Sequence, residues 1–267
     1  MSPTIDSEYE LVELPAMQLF EELDWEVLTA KEEEFGTTGT LGRMAQTEVV
    51  LVPRLRAALE KLNPQQPAEV ITLAVDELVR DRSTKSLVQA NQEVFGLLRD
   101  GLLVSIADRE RGGQKQHRLR LVDWEDPEQN DFLLVNQLKV SGVLYNCIPD
   151  LVGFVNGLPW IVIELKKPGV PAKRGFEDNL TSYKHPQNGV PPLFVYNALL
   201  MASNGTDSKV GSLTADWGRF TEWKRIERED EPRRVSLEVM LRGVCDKGRL
   251  LDLVENFILF EGTGGSA

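Results

Sequence analysis

Cysteine and histidine are both scarce in this sequence. Its 267 residues include two of each: Cys147, Cys245, His117 and His185. The cysteines are far apart and form no CxxC motif, so we expect two buried free thiols and no disulfide framework. A zinc site or a Ser-His-Asp triad would have to draw on only two histidines. The composition therefore argues against both kinds of site.

Long hydrophobic runs are also lacking. No stretch of the sequence approaches the ~20 apolar residues that a membrane-spanning helix needs. The first residues, MSPTIDSEYELVE, are acidic and do not show the basic-then-apolar pattern of a secretion signal. We therefore predict a cytoplasmic protein.

The chain has no excess of positive charge. Its net charge is −12, but eleven of its 42 acidic residues and only one of its 30 basic residues fall in residues 1–36. The rest of the chain is close to neutral, so charge neither indicates nor excludes a nucleic-acid partner. The acidic run itself is typical of a solvated helix face, and a protein-binding face is the alternative.

The spacing of apolar residues predicts helices in the first third of the chain. Apolar residues recur at roughly helical intervals within 7–34, from Leu11 to Val27. A second helix is predicted over 47–62, capped by Thr47 and ended by Asn63-Pro64. The same pattern predicts helices over 67–81 and 86–102.

From about residue 103 the pattern changes to that of β-structure. Strands are predicted within 102–110, 117–125, 131–142, 193–206 and 209–215, with two more around Asn156-Gly157. A short helix is expected over 173–184 and a helical run over 235–260. This order predicts one α/β domain over 1–260, with a central mixed β-sheet flanked by helices. Its helical part covers about 1–102, its sheet-rich core about 103–230, and 261–267 form a tail.

Charged side chains interrupt the most apolar segment, CIPDLVGFVNGLPWIVIELKKPG at 147–169. Strand side chains alternate faces, so Glu164 and Lys166 share one face. A plain two-residue loop at Asn156-Gly157 would point Glu164 away from Asp150. One extra residue, in the loop or in a β-bulge, would place both carboxylates on one face with their Cβ atoms about 5 Å apart. We predict this second arrangement.

Two carboxylates at that distance repel each other unless a positive charge lies between them. Mg²⁺ prefers oxygen ligands and commonly combines one or two carboxylates with water and phosphate. Asp150, Glu164 and the Leu165 carbonyl would supply such a site, and Lys166 would orient the attacking water. The set fits phosphodiester hydrolysis. The alternative is a solvated strand face on which Glu164 and Lys166 have no chemical role.

The order Pro149-Asp150 followed by Glu164-Leu165-Lys166 resembles the PD-(D/E)xK nuclease superfamily. The longer blocks NGLPWIVIELK, SNG and WGRFTEW resemble the N-terminal endonuclease region of the restriction (HsdR, motor) subunit of type I restriction-modification enzymes. This resemblance covers about residues 7–260. It implies a restriction-endonuclease-like core with a helical N-terminal part, and cleavage of double-stranded DNA with Mg²⁺ or Mn²⁺.

The same resemblance implies partners. Relatives translocate DNA with ATP and work with specificity and methyltransferase subunits, which read the DNA target. No GxxxxGK[ST] motif occurs in this sequence, so we assign ATP hydrolysis to motor domains outside the chain and expect the chain to be a fragment. Two alternatives stay open: a nuclease-like docking module that does not cut, and a stand-alone repair nuclease of the same superfamily.

The resemblance also assigns roles to individual residues. Asp150 and Glu164 match the metal-binding acids, and Lys166 matches the catalytic lysine. Many relatives have a further metal-binding Glu on the first helix. Glu8 is our first choice for it and Glu13 the second, with solvated helix charge as the alternative for both.

A QxxxY motif follows the catalytic strand in related nucleases and positions DNA. Here Asn179 and Tyr183 match its spacing, with Asn in place of Gln. Lys167 and Lys184 are candidates for contacts with DNA phosphates. Asn130 and Gln137 are assigned to turns and strand ends, without a chemical role. Three aromatic residues are assigned to packing, with base stacking as the alternative: Trp217, Phe220 and Trp223.

Overall fold

Helices form where the apolar spacing predicts them, with boundaries set by caps and turns. The structure, a computed structural model, describes residues 8–108 and 112–260. The predicted tail therefore lies outside the described residues. The α-helices found there are α1 (Leu14–Glu22), α2 (Val52–Leu62), α3 (Ala68–Val79), α4 (Leu87–Asp100), α5 (Thr181–Tyr183), α6 (Ser236–Val244) and α7 (Lys247–Phe257). Two π-helical segments, Tyr9–Glu13 and Gly175–Leu180, lead directly into α1 and α5.

Four predicted helical segments are confirmed: α3, α4, the pair α6 and α7, and the short helix that ends in α5. At the start of α4, the Ser86 hydroxyl accepts the Gln89 N–H while the Gln89 side chain accepts the Ser86 N–H. This capping box satisfies two of the N–H groups that the first turn of a helix leaves free. Gly101, with φ of 77°, follows the last helical residue.

Two N-terminal predictions are wrong at their boundaries. The first helix ends at Glu22, and Val27 lies on a strand, because the backbone turns at Asp24, where φ is 60°. The second helix begins at Val52, and Thr47 does not cap it. There Pro53 occupies the first turn, where its missing N–H costs no hydrogen bond.

Ten strands were found among the described residues: β1 (Glu26–Thr29), β2 (Leu102–Ala107), β3 (Gln114–Leu119), β4 (Phe132–Asn136), β5 (Val140–Ser141), β6 (Asn146–Cys147), β7 (Leu151–Val155), β8 (Leu158–Leu165), β9 (Leu199–Ser203) and β10 (Ser208–Gly211). Six of them form one sheet in the order β1-β4-β7-β8-β9-β10. The pairs β1–β4 and β8–β9 are parallel and the other three are antiparallel. The sheet is mixed and flanked by helices, as the sequence predicts.

The centre of this sheet is buried on both faces. Every residue of β4, β7 and β8 is buried, which is typical of strands covered by helices on both sides. Helix α1 contacts β1, β4 and α6, and the Gly175–Leu180 segment contacts β8 and β9. The two cysteines are buried free thiols, as predicted. Glu164 and its neighbours therefore lie in the most apolar part of the fold.

Three predicted strands are shorter than expected, and one of them, predicted within 209–215, ends at Gly211. Strand β3 ends at Leu119, because the backbone of the next residue, Arg120, binds the Asn63 side chain: its N–H donates to Asn63 Oδ1 and its carbonyl accepts from Asn63 Nδ2. Within 193–206 only β9 is a strand, since Pro191–Phe194 forms a 3₁₀ turn. Over residues 8–108 and 112–260, no helix is long and apolar enough to cross a bilayer.

Candidate active site

The β7–β8 hairpin contains the extra residue that the sequence analysis predicts. Its two-residue turn, Asn156-Gly157, has positive φ at both residues, 51° and 77°, as type I′ turns do. A Cβ at Gly157 would lie 2.7 Å from the Leu51 oxygen and 2.7 Å from the Leu55 nitrogen, so glycine is required there. The strand pairing then shifts by one residue next to Gly153. This β-bulge leaves Trp160 without a cross-strand partner.

The bulge decides which side chains share a face. Beyond it, Leu151 pairs with Ile163. The preceding residue, Asp150, is thereby aligned with Glu164, and Lys166 follows on the same side of β8. The predicted geometry is confirmed, and it arises from a two-residue turn combined with a bulge.

Asp150 is held by backbone and is almost fully buried. Its Oδ2 accepts the Leu165 N–H at 2.7 Å, and 8% of the residue is exposed. Burial raises the pKa of Asp150 to about 6, and the charge of Glu13 adds to this rise, although the Leu165 N–H and the Lys166 ammonium oppose it. Near neutral pH this carboxylate is ionised at a cost in stability.

Glu164 is even more enclosed. It is 1% exposed, and burial, reinforced by the charge of Asp150, raises its pKa well above the usual range. The Lys166 ammonium opposes this, with 3.6 Å between Nζ and Glu164 Oε2. The other oxygen, Oε1, has no hydrogen-bond partner in the described part of the chain. A buried carboxylate oxygen without a partner is costly, and such an atom needs a cation or a donor to satisfy it.

Lys166 lies at the edge of the site. Its Nζ donates to the Leu165 carbonyl at 3.0 Å, and its side chain is 19% exposed. The predicted backbone ligand and the predicted catalytic lysine are therefore in direct contact. Because a carbonyl oxygen has two lone pairs, the Leu165 oxygen can accept from Lys166 and still face a cation.

Both N-terminal candidates reach the site. Ligand oxygens of Glu8, Glu13 and Asp150 lie within 4.8 Å of one another. Glu8 Oε2 accepts the Lys167 N–H at 2.7 Å, whereas Glu13 is buried. Glu8 was the first choice from the sequence and Glu13 the second. On a regular α-helix, at about 100° per residue, positions five apart would be turned by about 140° from each other.

The π-helical segment brings Glu8 and Glu13 together. Hydrogen bonds of a π-helix join residues five apart, so positions 8 and 13 become neighbours along one side of the segment. The i, i+5 spacing of two acids was the signal that the sequence analysis missed. Glu164 is not a member of this group of three. The acids of the site therefore form two sets that share Asp150: one contains Glu8 and Glu13, and the other contains Glu164.

The residues that match the QxxxY motif face Glu164. Asn179 Nδ2 donates to the Tyr183 hydroxyl at 3.0 Å. Burial, followed by the charge of Glu164, raises the pKa of Tyr183, and the nearby Tyr183 hydroxyl lowers that of Glu164. The structure thus places Tyr183, with Asn179 bound to its hydroxyl, against Glu164.

The two lysine candidates lie in different surroundings. Lys167 is exposed. Lys184 is half-buried, its Nζ donates to the Leu213 carbonyl at 2.8 Å, and burial lowers its pKa. Nearby, the rings of Phe176, Trp217 and Phe220 pack on one another, which supports packing as the role of the aromatic residues.

Two amides at the end of β4 were not assigned chemistry from the sequence. Asn136 and Gln137 both donate to Glu13 Oε2, at 2.8 and 3.0 Å. Gln137 also donates to Asp150 Oδ1 at 3.2 Å. Polar residues that directly follow a buried apolar strand were the available signal. Asn130, by contrast, holds the turn at Asp123, as predicted.

Comparison with known proteins identifies the family. The sequence model described as Type I restriction enzyme R protein N terminus matches residues 5–219. The chain belongs to this family. The match includes every residue assigned to the site, from Glu8 to Lys184, and confirms the resemblance on which the roles were assigned. The role of each residue stays a prediction.

Two relatives in this family illustrate the extent of the similarity. The chain is 37% identical over 259 residues to the type I restriction enzyme HindI endonuclease subunit of Haemophilus influenzae, covering 94% of this chain and 24% of that protein. It is 28% identical over 242 residues to a provisionally named type I restriction enzyme MjaIXP endonuclease subunit of Methanocaldococcus jannaschii, covering 82% and 23%. The chain spans about a quarter of the length of these relatives.

Proposed function

We propose that this chain is the DNA-cleaving region of a type I restriction enzyme subunit, hydrolysing phosphodiester bonds of double-stranded DNA with a divalent cation. The observation that carries the proposal is the alignment of Asp150 with Glu164 by the β-bulge, with Lys166 beside them. Family membership and the names of the relatives support the same activity.

The donor set fits Mg²⁺, or Mn²⁺ in its place. Asp150, Glu164 and the Leu165 carbonyl offer only oxygen atoms, which Mg²⁺ prefers, and Glu13 or Glu8 would add another. The partnerless Oε1 of Glu164 supports a cation site, and so do the raised pKa values of both carboxyls, because burial and mutual repulsion disfavour their charges when no cation is bound. When bound, the ion stabilises negative charge on the phosphate and lowers the pKa of water.

The protein's own groups have separate tasks. The Lys166 ammonium orients the attacking water and offsets the charge of Glu164. Tyr183, whose hydroxyl accepts from Asn179, lies against Glu164, and this pair positions the DNA strand from the same helix. Exposed Lys167 contacts a phosphate without reading the base sequence. Lys184, engaged on the Leu213 carbonyl, would have to leave that contact to do the same.

The remaining parts of the reaction belong to partners. We propose that motor domains supply ATP-driven translocation and that specificity and methyltransferase subunits complete the complex. These assignments go beyond the family match and rest on the similarity to relatives that are about four times as long as this chain.

The test is single substitution in the complete complex. Asp150→Ala, Glu164→Ala and Lys166→Ala should each lower DNA cleavage by at least about 100-fold, because each removes a charge that acts on the transition state. ATP-driven translocation should continue. Lys173→Ala is the matched control, since this half-exposed lysine pairs only with Glu177 among the ion pairs of the described residues and should leave cleavage unchanged. Full cleavage by any of the three site variants would contradict the proposal.

A further inference from the structure

Gln137 has an unusual backbone for its residue type. Its φ is 55°, and only Asp24 and Asn156 share a positive φ among the non-glycine residues described. Left-handed backbone is strained for a residue with a Cβ, and Gln lacks the short polar side chain with which Asn and Asp compensate. Such strain persists where surrounding contacts enforce it, often at functional sites.

The contacts that enforce this conformation all lead to the acids. The Gln137 N–H donates to the Asp150 carbonyl at 2.9 Å. Its side-chain amide then reaches Asp150 Oδ1 at 3.2 Å and Glu13 Oε2 at 3.0 Å. Buried Asn136 supports the same arrangement by donating to Glu13 Oε2 and to the Asp150 carbonyl, at 2.8 and 3.1 Å.

A neutral amide suits this position. Its NH₂ group has two hydrogens, so it can donate to two carboxylates at once. A lysine there would also bridge the acids, but its positive charge would compete with a cation for them. With Leu165 donating to Oδ2 and Gln137 to Oδ1, both oxygens of Asp150 are fixed in direction.

We propose that Gln137 is a positioning residue that holds Asp150 and Glu13 in the arrangement that receives the divalent cation, and that Glu13 belongs to the cation site. This inference rests on the proposed function. It assigns a role to a residue that does not itself touch the cation or the DNA. Residues that orient metal ligands in this way typically account for 10- to 100-fold in metal affinity.

The test compares metal binding by Gln137 variants. Gln137→Gly keeps the left-handed backbone without strain and removes the amide. It should weaken Mn²⁺ binding, measured by calorimetry on the nucleotide-free protein, by roughly 10-fold or more. Gln137→Asn keeps an amide that tolerates positive φ but is one methylene shorter. Its Mn²⁺ affinity should therefore lie between those of the unsubstituted protein and Gln137→Gly. The Mg²⁺ concentration that half-saturates cleavage should rise in parallel.

Asp24→Gly is the matched backbone control. Asp24 has a φ of 60° and is exposed, so the same substitution there should leave Mn²⁺ affinity unchanged. If Gln137→Gly binds Mn²⁺ as the unsubstituted protein does, or melts earlier with no change in affinity, the inference is overturned. The proposed function is tested separately by Asp150→Ala. Loss of Mn²⁺ binding in that variant, together with normal binding by Gln137→Gly, would refute only the role of Gln137.

Discussion

The buried carboxyl of Asp150 should make the metal-free protein less stable as pH rises. Its pKa rises from the ordinary 3.8 to about 6, chiefly by burial. Below about pH 3.8 the folded and unfolded states both carry the proton. Between that value and about pH 6 only the folded state keeps it, so stability falls as pH increases and the full loss is present above about pH 6.

The size of this loss follows from the shift in pKa. At about 1.36 kcal/mol per pKa unit, a rise from 3.8 to about 6 corresponds to about 3 kcal/mol. Asp150→Asn removes the charge and keeps an oxygen for the Leu165 N–H, but its NH₂ group cannot accept from Gln137, which costs about 1 kcal/mol. We therefore expect a net stabilisation of about 2 kcal/mol near pH 8. For a domain of this size that is a rise of about 4–8 °C in Tm.

The assay is thermal unfolding in chelator across the range from about pH 4 to about pH 8. The Tm of Asp150→Asn should lie slightly below that of the unsubstituted protein near pH 4, where the lost hydrogen bond outweighs the small charge penalty. It should rise above it as pH increases, and the difference should level off above about pH 6. Adding Mg²⁺ at 100 times its Kd should stabilise only the unsubstituted protein, by about 2.7 kcal/mol.

Asp123→Asn is the control of opposite sign. Burial alone would raise the pKa of Asp123, but the N–H groups of Asp126 and Glu125 and the charge of Arg120 lower it below its usual value. This carboxylate contributes stability above its unfolded pKa, so Asp123→Asn should lower the Tm near pH 8. The reasoning about Asp150 is refuted if Asp150→Asn melts below the unsubstituted protein near pH 8, or if the difference in Tm does not depend on pH.

Two further predictions concern the turn and the tyrosine. Gly157→Ala should destabilise the protein by about 3 kcal/mol or more in urea unfolding, since its Cβ would meet two backbone atoms at 2.7 Å. Gly169 is the control: it has a φ of 91° and open space around it, so Gly169→Ala should destabilise the protein by only about 1 kcal/mol. Equal costs would show that the turn is not packed as described. Tyr183→Phe should raise the pKa of Glu164 further and the Mg²⁺ requirement of cleavage several-fold near pH 7. Tyr196→Phe, which loses a hydrogen bond to the Leu78 carbonyl, should lower stability alone.

The sequence predicted the parts of the site that depend on strand alternation. The placement of Glu164 and Lys166 on one face follows from their i, i+2 spacing, and the need for one extra residue follows from counting back to Asp150. Neither inference needed a tertiary contact. The central sheet was predictable for a related reason, since long apolar segments separated by turn residues leave few other ways to bury them.

The parts that sequence reasoning missed depend on long-range contacts. Strand β1 was predicted as helix, because Val27 continues an apolar spacing that suits both structures; its pairing with β4, about 107 residues away, decides the outcome. The bonds from Gln137 to Glu13 join residues 124 apart. Lys184 was a candidate for a DNA phosphate contact, and its bond to the Leu213 carbonyl, 29 residues away, could not be predicted from the sequence.

The β-bulge and the π-helical segment have the same effect on the site. Each adds one residue to a regular element, and each brings together two acids that regular geometry would separate. Without the bulge, Glu164 and Lys166 would point to the opposite face from Asp150, and the two carboxylates could not share a cation. An interrupted β-ladder costs about one hydrogen bond, or about 1 kcal/mol. The bulge therefore costs little, and it aligns the two carboxylates that the proposed cation site requires.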